Sequence, residues 1–478
     1  MNTAGPDPRR WQALVVVCVA FFMTILDVSI VNVALPSIGR NLHFSQTGLQ
    51  WVITAYAITF GGFLLLGGRA ADILGRRKMF LLGVALFSAA SLVCGLAGST
   101  GVLIAARAVQ GLGAAIVSPA TLSIITTAFE EGAERNKALG IWGAMGGSGS
   151  AAGVLFGGLL TRYAGWEWIF FINVPVGALV LALAPRVVRE SRAPDVGRHF
   201  DALGASSVTG GLALLVYAIS KAPVDGWSDS TTIILLAAAA ALILLFVAWE
   251  ARVENPLMPL SIFRIRTLAG ANVVGVLLGV SVFANFFLLT LYVQNVLHFT
   301  ALRTGITFLA TAGTVVAVAG VAQWLTTKIG PRIVMAVGLA LTTAGLVWYA
   351  QIPVHGSYAR DLLPGYLLVG FGLALSFIPV SIAALAGVGP REAGLASGLL
   401  NTAQQVGGAI GVAVVSSIAV SRATHLLRTG SSQASALTSG YALAFWVIAG
   451  VSAAGVVMAL ALVRDEQVEE LEGVTELA

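Results

Sequence analysis

Charge is what this sequence has least of. Only 10% of its 478 residues are charged, where a water-soluble domain carries about 25%, so an ordinary soluble domain is excluded. Cysteine is nearly absent: Cys18 and Cys94 both lie inside apolar runs, where a cysteine serves as a small hydrophobe, and no disulfide framework follows. The five histidines, His43, His199, His298, His355 and His425, fall in or beside connecting stretches, which leaves no histidine ligand set at membrane depth and excludes a zinc site there. A GxxxxGK[ST] phosphate loop is also missing. With no nucleophile constellation at depth, the chain is expected not to be an enzyme and to need no cofactor or metal. The formal net charge of +5 is scattered over short loops rather than gathered on one face, which speaks against nucleic acid as a partner.

What fills the sequence instead is apolar runs, 57% of it being hydrophobic. Stretches long enough to cross a bilayer as helices fall at 11–36, 47–68, 79–98, 100–128, 137–161, 166–185, 202–220, 231–249, 268–296, 303–325, 332–350, 361–386, 394–420 and 438–463. This predicts an all-α membrane protein of fourteen transmembrane helices with the lipid bilayer as its solvent. The first stretch follows Arg9 and Arg10 but is longer than the roughly 7 to 15 apolar residues of a signal sequence, so it is expected to be retained. With both termini on one side, nineteen of the 27 Lys and Arg residues share that side, seven lie opposite, and Arg107 is inside a span. The positive-inside rule then makes both termini cytoplasmic, as for a multi-pass protein of a bacterial cytoplasmic membrane. Gly140, Gly153 and Gly157 are echoed by Gly394, Gly407 and Gly411 at a constant offset, the kind of internal repeat transporters show. The expected organisation is a six-helix half at 1–190, two inserted helices at 191–260, a second six-helix half at 261–464, and an acidic cytoplasmic tail at 465–478.

Against this background the first segment closes on Leu26-Asp27-Val28 through Ala34-Leu35-Pro36. An acidic residue at the centre of a span costs roughly 2.5 to 3.5 kcal/mol on insertion scales, so Asp27 is expected to face a bundle interior or a water-filled cavity and to have a partner, a proton or a cation. The fourth segment contains Arg107. At 1.5 Å rise per residue the two charges lie at similar depth, roughly 13 Å for Asp27 and roughly 10 Å for Arg107. If the first and fourth helices are neighbours, Arg107 favours ionised Asp27 while desolvation favours the protonated acid. Such a balance suits a proton carrier. A static buried ion pair is the other reading, and both stay open.

Three further clusters stand out. Between the second and third segments runs Gly68-Arg69-Ala70-Ala71-Asp72-Ile73-Leu74-Gly75-Arg76-Arg77-Lys78, opposite charges in a tight turn that can pair with each other and with helix ends, or that simply obey the charge rule. The fifth segment carries Gly149, Gly153, Gly157 and Gly158, either a close-approach packing face or a functional one. Asn401, Gln404 and Gln405 share one face of the thirteenth segment, as Ser281 and Asn285 do of the ninth. Such amides either bond across helices or line a cavity.

The motifs together resemble the major facilitator superfamily. Gly68, Asp72, Gly75, Arg76 and Arg77 match its inner-loop signature, with Ile73 where a basic residue is usual. Arg107, Gln110, Gly111 and Gly113 match its fourth-helix signature. The glycine spacing of the fifth segment looks like the antiporter motif of drug exporters, with Val154 at its proline position. The Asp27 stretch, and Phe200-Asp201 with Gly204 at the opening of the seventh segment, resemble the fourteen-helix drug:proton antiporters; Asp201 equally suits a helix cap. The resemblance implies proton-coupled efflux of amphipathic drugs or natural-product antibiotics by alternating access. In that reading Asp27 carries the proton, Arg107 modulates it, and the Asp72 loop braces the inner gate. It also implies that helices 1, 4, 9 and 12 line a central cavity flanked by helices 2 and 13. Tyr56 and Phe377 then join Asn285, Asn401, Gln404 and Gln405 as candidate substrate contacts. A dedicated metabolite exporter or a proton symporter, favoured by Val154, is the alternative.

Overall fold

A computed structural model describes residues 9–45, 47–129, 133–192, 201–253, 256–257, 260–386, 388 and 393–464; Phe200 and the acidic tail 465–478 lie outside them. Long helices occupy all fourteen expected stretches: α1 (Arg10–Asn41), α2 (Trp51–Leu74), α3 (Arg76–Gly95), α4 (Thr100–Ala128), α5 (Ala133–Tyr163), α6 (Trp168–Val187), α7 (Ala202–Asp225), α8 (Ser230–Glu250), α9 (Arg266–Asn295), α10 (Ala301–Ile329), α11 (Pro331–Tyr349), α12 (Tyr358–Leu385), α13 (Ala393–Arg428) and α14 (Gln433–Leu462). Thirteen of them are long and apolar enough to span a membrane; α5, thinned by its glycines, is the fourteenth. The chain is an all-α membrane protein. Aliphatic side chains such as Ile234, Leu244 and Val316 are exposed on helix surfaces, as lipid-facing positions require.

The helix ends follow local chemistry. Ser99, Ser357 and Ser432 each accept a hydrogen bond from a first-turn N–H of α4, α12 and α14, filling one of the donors a helix start leaves open. Asp201 caps α7 through Gly204 N–H at 2.8 Å, so its side chain serves as the cap that the sequence allowed. Gly75 (φ +116°) joins α2 to α3 and Gly330 (φ +82°) joins α10 to α11, backbone conformations that a side chain would strain.

The chain divides into two compact units. The first comprises Met1–Leu215, Ile234–Leu257 and Thr300–Ile306, the second Val216–Ile233, Met258–Phe299 and Thr307–Ala478. Stretches 201–215 and 234–250 of α7 and α8 therefore go with the first unit, and 216–233 with the second.

Within each unit the same packing recurs. In the first, α5 lies on α1, where a Cβ at Gly153 would meet the Leu26 carbonyl oxygen at 2.7 Å and one at Gly157 the Ile30 oxygen at 2.8 Å. In the second, α13 lies on α9, with Gly407 against the Val276 backbone and Gly411 against Val280 Cα at 2.8 Å. Likewise α4 is wedged between α2 and α3 through Gly111 and Gly113, and α12 between α10 and α11 through Gly370 and Gly372. The helix 4 and 12 glycines are thus structural equivalents although a single-residue slip separates Pro119 from Pro379. Gly140, by contrast, has nothing within 4 Å of its Cβ position; the repeated contact lies in Gly153 and Gly157.

Candidate functional site

Asp27 sits mid-way along α1 and is fully buried. Close meshing brings its partner to it: a Cβ at Gly111 would collide with Thr59 Oγ1 and the Tyr56 backbone, and one at Gly113 would lie 2.7 Å from Phe87 N. These two glycines let α4 sink between α2 and α3. Arg107, one turn before Gly111 on the same face, then points inward with 1% of its surface exposed.

Arg107 Nη1 donates to Asp27 Oδ2 at 2.5 Å. The other carboxylate oxygen, Oδ1, accepts from Gln110 Nε2 at 2.8 Å and from Asn173 Nδ2 at 3.0 Å. Both amides also donate to Ser91 Oγ, at 3.1 and 2.9 Å, and Ser91 in turn donates to the Phe170 carbonyl at 3.0 Å. The guanidinium is equally engaged: Nε donates to the Val52 carbonyl at 2.9 Å and Nη1 to Gln110 Oε1 at 2.6 Å. Its carbon stands 4.3 Å over the Tyr56 ring, close enough for a cation–π contribution. Burying two charges is tolerated only when they are paired and their remaining sites are hydrogen-bonded. Here each charge meets the other, neutral donors and acceptors from α2, α4 and α6 complete both shells, and Ser91 of α3 ties the two amides together behind them.

Of the residues singled out in the sequence, Asp27, Arg107 and Tyr56 are therefore brought together. Tyr56 contributes its ring, because its buried hydroxyl has no hydrogen-bond partner among the described residues. Gln110 was visible as part of a motif. Ser91 and Asn173 were missed, although Asn173 is the one amide in the apolar stretch 166–185 and the argument used for Asp27 applies to it in weaker form.

The α2–α3 loop forms the pairing its charges suggested. Arg76 donates to Asp72 Oδ1 from Nε at 3.1 Å and from Nη2 at 3.0 Å, and from Nη1 to Thr127 Oγ1 at the end of α4. Gly68 lies against Pro119 of α4, with 3.4 Å from its Cβ position to Pro119 Cβ. A residue not foreseen completes the turn: Glu190, just beyond α6, accepts from the backbone N–H groups of Arg77 and Lys78 at 3.1 and 3.2 Å and so caps α3. It lies 3.9 Å from Arg77 Nε.

The α5 glycines face the helix that carries Asp27. Gly149, Gly153 and Gly157 rest on Phe22, Leu26 and Ile30 of α1 in turn, a register of four residues on each helix that straddles Asp27. Gly158 meets residues 301 and 302 at the start of α10, and α5 runs unbroken through Val154.

In the second unit Asn285 and Gln405 are buried, and Asn285 Oδ1 and Gln405 Oε1 have no hydrogen-bond donor among the described residues. Gln404 and Phe377 are half-buried and Asn401 is exposed. The α13 backbone at Gln404 rests on Gly279 of α9, so these amides sit along a close helix crossing. Among the described residues the buried charged side chains are Asp27, Arg107, Asp201 and Glu250, all in the first unit.

The family model for the Major Facilitator Superfamily matches residues 17–412. The chain belongs to that superfamily. The puromycin resistance protein pur8 of Streptomyces alboniger is 39% identical over 475 residues, covering 98% of this chain and 94% of the relative. The cephamycin export protein CmcT of Amycolatopsis lactamdurans is 39% identical over 407 residues, 84% of each chain. Among solved structures, the POT family transporter PepTSo superposes with a TM-score of 0.69 over 94% of this chain and 97% of its own, at 15% identity, a likeness of fold. In this superfamily member the Asp27–Arg107 pair, the α2–α3 loop and the α5 glycines are built within one unit, each tied to α1 or α4.

Proposed function

We propose that this chain is a proton-coupled exporter of amphipathic drugs or natural-product antibiotics in a bacterial cytoplasmic membrane, working by alternating access with both termini cytoplasmic. The observation that carries the reading is the Asp27–Arg107 pair, sealed in a hydrogen-bond network that spans α1, α2, α3, α4 and α6. Support for the cargo comes from relatives named for puromycin resistance and cephamycin export.

The network describes a latch. With Asp27 ionised, one carboxylate ties α1 to Arg107 and Gln110 of α4 and to Asn173 of α6. A proton on Asp27 cancels its charge and replaces an acceptor by a donor, so at least one of these ties must break. Arg107 keeps the Val52 carbonyl, Gln110 Oε1 and the Tyr56 ring as partners when that happens. Because Asp27 is fully buried, it can exchange its proton only when α1 moves relative to α4 or α6. Proton transfer and helix movement are thereby the same event, which is what coupling requires. Buried amide acceptors Asn285 and Gln405 in the second unit suit a cargo that presents a donor from an otherwise apolar body.

A narrower reading, an exporter dedicated to one natural product, is favoured by the cephamycin exporter among the relatives. The two are separated by a susceptibility panel of unrelated lipophilic antibiotics in an efflux-deficient host expressing this chain. Broad resistance that Asp27→Asn removes at equal expression supports the proposal. Resistance to a single compound supports the narrower one, and resistance unchanged by Asp27→Asn would falsify the coupling role.

A further inference from the structure

We propose that Tyr56 is a positioning residue for the proton step: its hydroxyl, stranded while the Asp27–Arg107 pair is sealed, biases the network toward the opened state in which Asp27 takes up its proton. The inference deepens the coupling reading above and rests on Asp27 being the group that titrates.

Tyr56 is 2% exposed. Its ring is fully engaged: the guanidinium carbon of Arg107 stands 4.3 Å from the ring centroid, the Phe60 ring lies 5.7 Å away, and Gly111 lets α4 press on the Tyr56 backbone. The hydroxyl is not engaged, for among the described residues it has no hydrogen-bond partner. A buried phenol ordinarily finds one. Tyr366 does so with Thr307 Oγ1 at 3.1 Å, and Tyr292 donates to the Pro353 carbonyl at 2.6 Å. A phenylalanine ring also takes a cation on its face and would leave nothing unmet, so packing on Arg107 does not account for the oxygen.

That oxygen has an energetic consequence. A buried donor without an acceptor carries the full desolvation penalty of the group, and here the penalty falls on the sealed state. Asp27 exchanges its proton only when α1 moves relative to α4 or α6, and an opening that lets water reach the carboxylate lets it reach the guanidinium and the phenol stacked on it. The hydroxyl therefore regains its hydrogen bonds in the opened state. This offsets part of the hold that Arg107 has on the ionised form of Asp27. The other groups packed on the pair supply no such bias. Cys94 of α3 reaches Gln110 Oε1 at 3.7 Å, α6 presents neutral Asn173 and the Phe170 ring, and α5 meets α1 through Gly149, Gly153 and Gly157.

The test is an infrared titration of the purified full-length protein in detergent, following the carboxyl stretch of protonated Asp27, which is identified by its loss in Asp27→Asn. In Tyr56→Phe the midpoint should fall by about one pH unit, the equivalent of one unmet hydrogen bond, so that about ten times the proton concentration is needed. Tyr349→Phe removes a buried hydroxyl of the second unit that is equally without a partner, and should leave the midpoint where it is. At a pH that keeps Asp27 ionised, Tyr56→Phe should melt no lower than the native chain. A lower melting temperature, or failure to fold, would show that the hydroxyl is bonded in the sealed state and overturn the proposal. An unchanged or raised midpoint in Tyr56→Phe, or an equal shift in Tyr349→Phe, would overturn it too while leaving the coupling role of Asp27 intact. Absence of the Asp27 band at every pH would instead defeat the coupling reading itself, and this inference with it.

Discussion

Asp27 accepts three hydrogen bonds and loses none of them to solvent, so removing either member of its ion pair strands the other. Arg107→Gln should destabilise the protein by about 3 to 5 kcal/mol, the usual cost of an uncompensated buried charge. Asp27→Asn/Arg107→Gln, which removes both charges, should recover much of that loss. Thermal unfolding in detergent of the two singles and the double forms the cycle, and additive losses would show that the pair is not coupled. Asn173→Ala leaves Asp27 Oδ1 and Ser91 Oγ each short of one donor, and should cost about 1 to 3 kcal/mol; an unchanged melting temperature would place Asn173 outside the latch. The charge pair was legible in the sequence because charges are rare in spans and their depth can be counted from helix ends. Ser91 and Asn173 were not, because neutral polar residues are common in spans and only the fold decides which of them meet.

At the scale of helices, the α1–α5 crossing holds the segment that carries Asp27. A Cβ at Gly153 would press on the Leu26 carbonyl oxygen and on Ser29 Cβ at 2.7 and 2.8 Å, and backbone cannot swing aside as a side-chain tip can. Gly153→Val should therefore force α1 and α5 apart at a cost of about 1 to 3 kcal/mol, with efflux lost. Gly140→Ala, where 4 Å around the Cβ position is empty, should gain about 0.5 to 1 kcal/mol from helix propensity. Thermal unfolding again decides, and equal effects of the two substitutions would contradict the packing account. The helices themselves were legible from hydropathy, down to the glycine-rich fifth. Glu190 as the cap of α3 was not, because its partners Arg77 and Lys78 are more than a hundred residues away and the contact uses backbone that every residue has.

For the molecule as a whole, the charge bias and even helix count predict that both termini share the cytoplasm. A green fluorescent protein fused to the C-terminus should fluoresce, whereas alkaline phosphatase fused after Gly430, between α13 and α14, should be active outside; the reverse pattern would invert the topology and with it the direction of transport. The two-unit organisation was legible as a glycine repeat, but the division of α7 and α8 between the units was not, because an inserted pair of helices carries no repeat to mark its affiliation.

The central claim is that Asp27 gains and loses the proton that drives export. The most direct test is substrate-induced proton movement in everted vesicles, energised by respiration and followed with a pH-sensitive acridine dye, with an antibiotic to which the chain confers resistance in the susceptibility panel as the probe. The native chain should release luminal protons when the drug is added. Asp27→Asn and the charge-free double variant, present at equal amounts, should release none. Undiminished proton release from vesicles bearing the folded double variant would contradict the account.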